Sequence, residues 1–271
     1  MVTISLRLID ERGLRTIRVG FAISLCYTHC MNKTISKISL RRYNFIAAFL
    51  HLAQCIIILI LSKSYLLTLT GSFLSFNPSS RSLEPTTTSL FRISLPIIIA
   101  FFFFLSAIAH FSVATFYNKR YNKNLDKGIN KARWIEYSLS ASLMMVAIAL
   151  LVGVYDLMSL LMIFSLVALM NLMGLMMEVH NQTTKRTNWL SYLIGCFAGV
   201  IPWIVIAFYM WIGAVNGSKA PAFVYWIFVS IFIFFNCFAI NMWLQYKKIG
   251  PWKNYLYGEF VYIILSLVAK S

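Results

Sequence analysis

Seven stretches of this chain stay apolar for about the ~20 residues a helix needs to cross a bilayer, and shorter polar segments separate them. They run from Tyr43 to Leu61, Ile93 to Tyr117, Ile129 to Val154, Leu157 to Met177, Trp189 to Ala214, Pro221 to Tyr246 and Tyr255 to Lys270. Each predicts one spanning helix, because a chain in lipid must satisfy its backbone polar groups internally. The expected fold class is therefore all-α integral membrane, with seven transmembrane helices and the two chain ends on opposite sides.

The polar segments differ in length and character. Residues 62–92 form the one long connection, rich in Thr, Ser and Leu. Within it Tyr65 to Phe76 reads as extended, broken by Gly71 and Pro78, and predicts a hairpin. A strand edge displayed there suits a partner or a second copy of the chain. Residues 1–42 read as a basic tail preceding the membrane domain at 43–271. Arg7, Arg12, Arg15 and Arg18 lead into Val19 to Tyr27, too short to span. That pattern reads either as a weak signal peptide or as an upstream extension of a protein starting at Met31.

Composition agrees with the periodicity: 60% of the 271 residues are hydrophobic and 12% charged, with a mean hydropathy of +0.75. The net charge of +16 could suggest a nucleic-acid partner, but the basic residues alternate by connection instead of collecting on one domain. Counting Lys and Arg, the tail and the second, fourth and sixth connections hold 8, 6, 2 and 3, a total of 19. The first, third and fifth hold 3, 0 and 1, a total of 4. The excess places the N-terminus in the cytoplasm and the C-terminus outside. No nucleic-acid role is expected. Cys55, Cys196 and Cys237 fall inside apolar segments, where a thiol acts as a small hydrophobe, and no metal-ligand spacing is present.

Few ionisable groups lie inside the predicted spans, so each is informative. Lys270 ends the last apolar run, and Glu136 stands near the start of the third. A carboxylate at that depth needs a proton or a cationic partner, and Lys270 is the natural one. Arg133 precedes Glu136 by three residues and Ser140 follows by four, which puts them near one helix face. Ser266 stands four before Lys270. His51 and His110 each lie about two turns from the cytoplasmic end of their span, on the order of 10 Å deep at ~1.5 Å per residue. Plainer readings stand beside these. A terminal lysine snorkels to the interface, a glutamate beside Trp134 sits at it, and a histidine packs with one hydrogen bond.

Several segments of the chain resemble the heliorhodopsins. They are Arg133 to Ser140, Gly195 to Trp203, Phe223-Val224-Tyr225 with Phe234-Phe235-Asn236, Leu244 to Lys247, and Tyr262 to Ser271. The resemblance covers about residues 35–271 and implies a rhodopsin-like bundle of inverted orientation. It implies all-trans retinal on Lys270 as a protonated Schiff base with Glu136 as counterion. It matches His51 and His110 to cavity histidines and Ser266 to a serine near the Schiff base. Ser106, Trp203, Phe235 and Asn236 become pocket candidates, and a homodimer is implied. In that family the last helix continues for several turns past the lysine, so a chain stopping at Ser271 reads as a fragment. The expected function is a light sensor with a slow photocycle, acting on an unidentified signalling partner without pumping ions. A light-driven proton pathway and a chromophore-free membrane scaffold are the alternatives. With no nucleophile-base or metal motif, an enzyme is not expected.

Overall fold

A computed structural model describes residues 6–8, 15–17 and 35–270 of the chain. It divides into two units, Met1–Ser36 and Lys37–Ser271. In the first, β1 (Leu6–Leu8) and β2 (Arg15–Ile17) pair antiparallel. The two readings of Val19 to Tyr27 and Met31 lie outside the described residues.

The second unit is a helical bundle with a hairpin at one end. In order it contains α1 (Lys37–Leu61), β3 (Leu66–Asn77), β4 (Ser82–Ser94), α2 (Leu95–Ala114), α3 (Asn118–Leu125) and α4 (Lys131–Leu151). Then come α5 (Leu157–His180), α6 (Leu190–Val215), α7 (Ala222–Lys247), a 3-10 turn (Gly250–Lys253) and α8 (Tyr255–Lys270). A helix lies in each of the seven apolar stretches. Six of these, α1, α2, α4, α5, α6 and α7, are long and apolar enough to span a membrane. The seventh, α8, is 16 residues long in this chain. The molecule is an integral, multi-pass membrane protein.

Boundaries moved where polar residues continue a helix or end it. Helix α1 begins at Lys37, so the last residues of the expected tail belong to the bundle. Asn130 caps α4 by accepting from the Arg133 N–H at 3.1 Å, which starts that helix two residues later than the apolar run. Asp156 does the same for α5, accepting from the Ser159 N–H at 2.8 Å. The connection before α4 contains the short amphipathic α3, which buries Tyr121 and Leu125.

The expected hairpin is present and longer than its sequence signal. Register runs from Leu66 opposite Ser94 to Asn77 opposite Ser82, with a bulge between Thr68 and Thr70. Gly71 does not break the strand; it pairs with Thr88. Ile93, expected in a helix, is a strand residue paired with Leu67. Leu67 and Leu69 are buried, and the Thr70 N–H donates to the Tyr155 carbonyl at 2.9 Å, tying the hairpin to the turn before α5.

Burial is uneven around the bundle. Helix α4 is its centre and is largely buried, whereas little of α7 is buried. Its Ser138, Ser140, Ala141 and Ser142 are small enough to admit neighbouring backbones closely, which is how helices associate where lipid removes the hydrophobic drive. The outward residues of α1, α6 and α7, such as Phe49, Phe197 and Trp226, are large and apolar, as lipid contact requires.

Candidate functional site

Helices α2, α4 and α8 bring four of the expected residues to one point. The Lys270 ammonium donates to Glu136 Oε1 at 2.7 Å, to Ser106 Oγ at 2.6 Å and to Ser140 Oγ at 2.9 Å. Both serine hydroxyls donate in turn to Glu136 Oε1, each at 2.6 Å. The Tyr137 ring lies 5.3 Å from the ammonium. Lys270 and Glu136 are buried and Ser106 and Ser140 are fully so. One cation faces one anion, and hydrogen bonds fill the remaining positions, the arrangement a buried pair needs to offset its desolvation. Both groups are buried within the bundle and paired with each other.

The two histidines adjoin this pair. His110 Nε2 lies 3.4 Å from Ser266 Oγ and its Nδ1 2.7 Å from Asn44 Oδ1. His51 stacks on His110 at 5.6 Å with an interplanar angle of 20°, and its Nδ1 lies 3.1 Å from Gln54 Oε1. Asn44, polar and buried on α1, has no precedent in the sequence reading. Its signal was a lone amide in an apolar helix.

On its other side Lys270 borders a cleft between α4, α5, α6, α7 and α8. The space is about 180 Å³, several times that of a water molecule, and Trp203, Phe235 and Asn236 line it as expected pocket residues. Trp203 meets Phe228, Phe232 and Phe235 edge-on at 5.3–5.5 Å. Asn236 uses its amide N–H on the Phe232 carbonyl at 2.8 Å. Pro202 inside α6 removes one helical hydrogen bond next to Trp203. Sequence reading missed Asn171, buried on α5, and Gly174, Gly195 and Gly199. A Cβ at Gly174 would meet the Trp134 ring and one at Gly199 the Met170 side chain. The glycines thus leave the cleft the width it has.

Arg133 does not serve Glu136, although it lies one turn away. Its guanidinium reaches Glu178 on α5 and Glu259 on α8. Asn130 joins them, its backbone N–H donating to Glu178 at 2.8 Å and its side chain to Glu259 at 2.5 Å. Tyr255 donates to Glu178 at 3.2 Å, and the Tyr262 ring lies 3.8 Å under the guanidinium. Neither pairing is visible along the chain, because Glu178 and Glu259 stand more than forty positions from Arg133.

The profile of the heliorhodopsin family matches residues 40–271. The chain belongs to the heliorhodopsins. No curated protein matches it. Membership implies a retinal chromophore, and the geometry of this heliorhodopsin fits one. A lysine side chain borders an apolar, aromatic cleft lined in part by glycines, and a carboxylate stands 2.7 Å from its nitrogen. The heliorhodopsin match also covers every residue of the buried pair, both histidines and the cleft.

Proposed function

We propose that this chain is a light-sensing heliorhodopsin in which Lys270 holds all-trans retinal as a protonated Schiff base and Glu136 is the counterion. The observation that carries the reading is the Lys270 nitrogen, hydrogen-bonded to Glu136, Ser106 and Ser140 at the edge of an aromatic cleft. Attachment joins the lysine nitrogen to the aldehyde carbon with loss of water. The bound group supplies visible absorption and a light-driven change of shape. Glu136 Oε1 stabilises positive charge at the nitrogen, and the two serines hold that oxygen in place. Trp203, Phe235 and Asn236 shape the cleft, while His51, His110 and Ser266 form the polar side of the site.

The N-terminus is assigned to the cytoplasm and the C-terminus to the outside from the 19 to 4 distribution of basic residues. We assign no enzymatic reaction. The hairpin exposes Phe73, Leu74, Phe76 and Leu83, an apolar surface suited to a second copy in a homodimer. A signalling partner would complete the pathway, since the route outward from Glu136 offers little to an ion. Beyond Ser140, α4 holds Ser142, already bonded to the Ser138 carbonyl at 2.7 Å, before Asp156 at the far end. Helix α6 carries no charged residue and α7 only Lys247 in its last turn. An apolar path of several turns is a large barrier to a bare ion.

Adding all-trans retinal to the membrane-embedded protein tests this. A visible band resistant to hydroxylamine is expected, with no sustained photocurrent. Absence of the band favours the chromophore-free scaffold. A sustained photocurrent abolished by Glu136→Gln favours the proton pathway, for which the histidines beside Glu136 are the supporting feature.

A further inference from the structure

The short helix α3 carries its charge on one side. At helical spacing Tyr121 and Leu125 fall on one face of it and Lys119, Arg120 and Lys123 on the other. The first two are buried and the three basic residues are exposed. Lys127, just past the helix, and Lys131, at the start of α4, are exposed as well. The single acid between Thr115 and Lys131 is Asp126, and it is already paired with Lys37 of α1. Lys119, Arg120, Lys123, Lys127 and Lys131 form no ion pair among the described residues. Charges of one sign gathered in this way repel one another and favour an anion beside them.

The turn from α2 into α3 is closely hydrogen-bonded. The Thr115 N–H donates to the Phe111 carbonyl at 3.0 Å, the Tyr117 N–H to the Ser112 carbonyl at 2.9 Å and the Asn118 side chain to the Val113 carbonyl at 2.9 Å. From α1 the Arg41 Nε–H donates to the Ala114 carbonyl at 2.8 Å. Within this turn Phe116 is 79% exposed, more than any other large apolar residue among the described residues. It stands two residues past the end of the spanning helix α2, on the order of 3 Å beyond it at ~1.5 Å per residue. That is the level at which acyl chains give way to headgroups. On α1 and α2 themselves Phe45 and Phe111, both exposed, meet edge-on at 6.3 Å as lipid-facing residues do. A ring at the same boundary gains by entering the bilayer and loses by standing in water.

We propose that Phe116 and α3 together form a binding site for anionic phospholipid. The ring enters the edge of the acyl layer, and Lys119, Arg120, Lys123 and Lys127 hold the headgroup phosphate. Both halves of the surface call for the same partner. Basic residues attract anionic lipid within about a Debye length of the membrane, ~10 Å at 0.1 M salt, and an aromatic ring among them adds apolar burial. A nucleic acid or an acidic protein in water would satisfy the charges and leave Phe116 bare. The direction of the basic face is fixed, because Tyr121 and Leu125 pack against the bundle and the Asp126–Lys37 pair ties the far end of α3 to α1. A lipid seated there bridges the end of α2, the whole of α3 and the approach to α4, so the composition of the bilayer sets how firmly this end of the bundle is held.

The test is native mass spectrometry of the full chain in detergent, titrated with phosphatidylglycerol or with phosphatidylcholine, and it needs no retinal. The first phosphatidylglycerol is expected to bind at least about fivefold more tightly than the first phosphatidylcholine, the factor that one basic residue near an anionic surface gives. Replacing Lys119, Arg120, Lys123 and Lys127 together by Gln should abolish that preference. Removing as much charge elsewhere, with Lys185, Arg186, Lys247 and Lys248 replaced by Gln, should keep it. Phe116→Ser, which leaves every charge in place at an exposed position, should weaken the first phosphatidylglycerol and so decides the matter even where the fourfold α3 variant fails to fold. Equal affinities for the two lipids in the wild type would overturn the proposal, as would equal losses in the two fourfold variants or an unchanged affinity in Phe116→Ser. Displacement of the lipid by an equal concentration of inorganic phosphate or of a short oligonucleotide would also overturn it, by marking a site for a water-borne anion.

Discussion

Two buried ionic groups are built on the same pair of helices, α4 and α8, about one turn apart on the first and about three on the second. Around Lys270 one cation meets one anion, two serines complete the shell, and the nitrogen borders open space. Around Arg133 one cation meets two anions, Asn130 and Tyr255 complete the shell, and the guanidinium lies against the rings of Tyr262 and Trp134. The first group is balanced but accessible, so its chemistry is open to a ligand. The second is unbalanced but tied into three helices, so it fixes their ends. Charge balance and access, more than burial, separate the two.

Lys270→Ala should break the comparison most completely. It removes the one lysine among the residues that line the cleft and is expected to abolish the visible band formed with retinal. A hydroxylamine-resistant band surviving in that variant would move the attachment elsewhere.

Arg133→Ala leaves two buried carboxylates without their cation. Removing one partner of a buried pair typically costs about 3–5 kcal/mol. Thermal unfolding in detergent should show a loss in the upper part of that range, and a smaller loss for Lys270→Ala, whose orphaned Glu136 keeps Ser106 and Ser140. Equal losses would show that the excess charge does not matter.

Glu136→Gln tests the balanced group more gently. With retinal bound, absorption should move to the red and the protonated form should be less stable, because the negative charge that localises positive charge at the nitrogen is gone. A spectral titration with unchanged colour would assign the counterion elsewhere.

The smallest effect is expected from a carboxylate that meets water. Asp156 caps α5 through the Ser159 N–H and hydroxyl, both at 2.8 Å, and these hydrogen bonds hold its carboxyl below the usual carboxylate range. Asp156→Ala should cost about 1 kcal/mol at neutral pH. Since the folded-state value is depressed, that contribution is complete above the unfolded value of about 3.9 and is lost as pH falls through the lower folded one. A wild-type minus variant stability difference that grows on acidification would contradict the cap.

Much of this protein was legible along the chain. An apolar run of membrane length forces a helix because lipid offers the backbone no hydrogen-bond partner, and helices occupy all seven runs. The pairing of Lys270 with Glu136 was legible for the same reason, since so few charges lie at depth that each narrows the choice of partner for the other. Arg133 shows where that logic stopped. Its spacing put it on the face of Glu136, but a long flexible side chain chooses among everything within reach. Only the packing of α4 against α5 and α8 brought Glu178 and Glu259 closer. The cleft was equally hidden, because glycines on α5 and α6 and aromatics on α7 make one space only after the helices are placed. The sequence by itself determined the helices, their apolar character and the identity of the charged groups, all set by local composition and the bilayer. Tertiary structure alone decided which charges met, which stayed in excess and which faced a cavity, because those depend on distances between segments far apart in the chain.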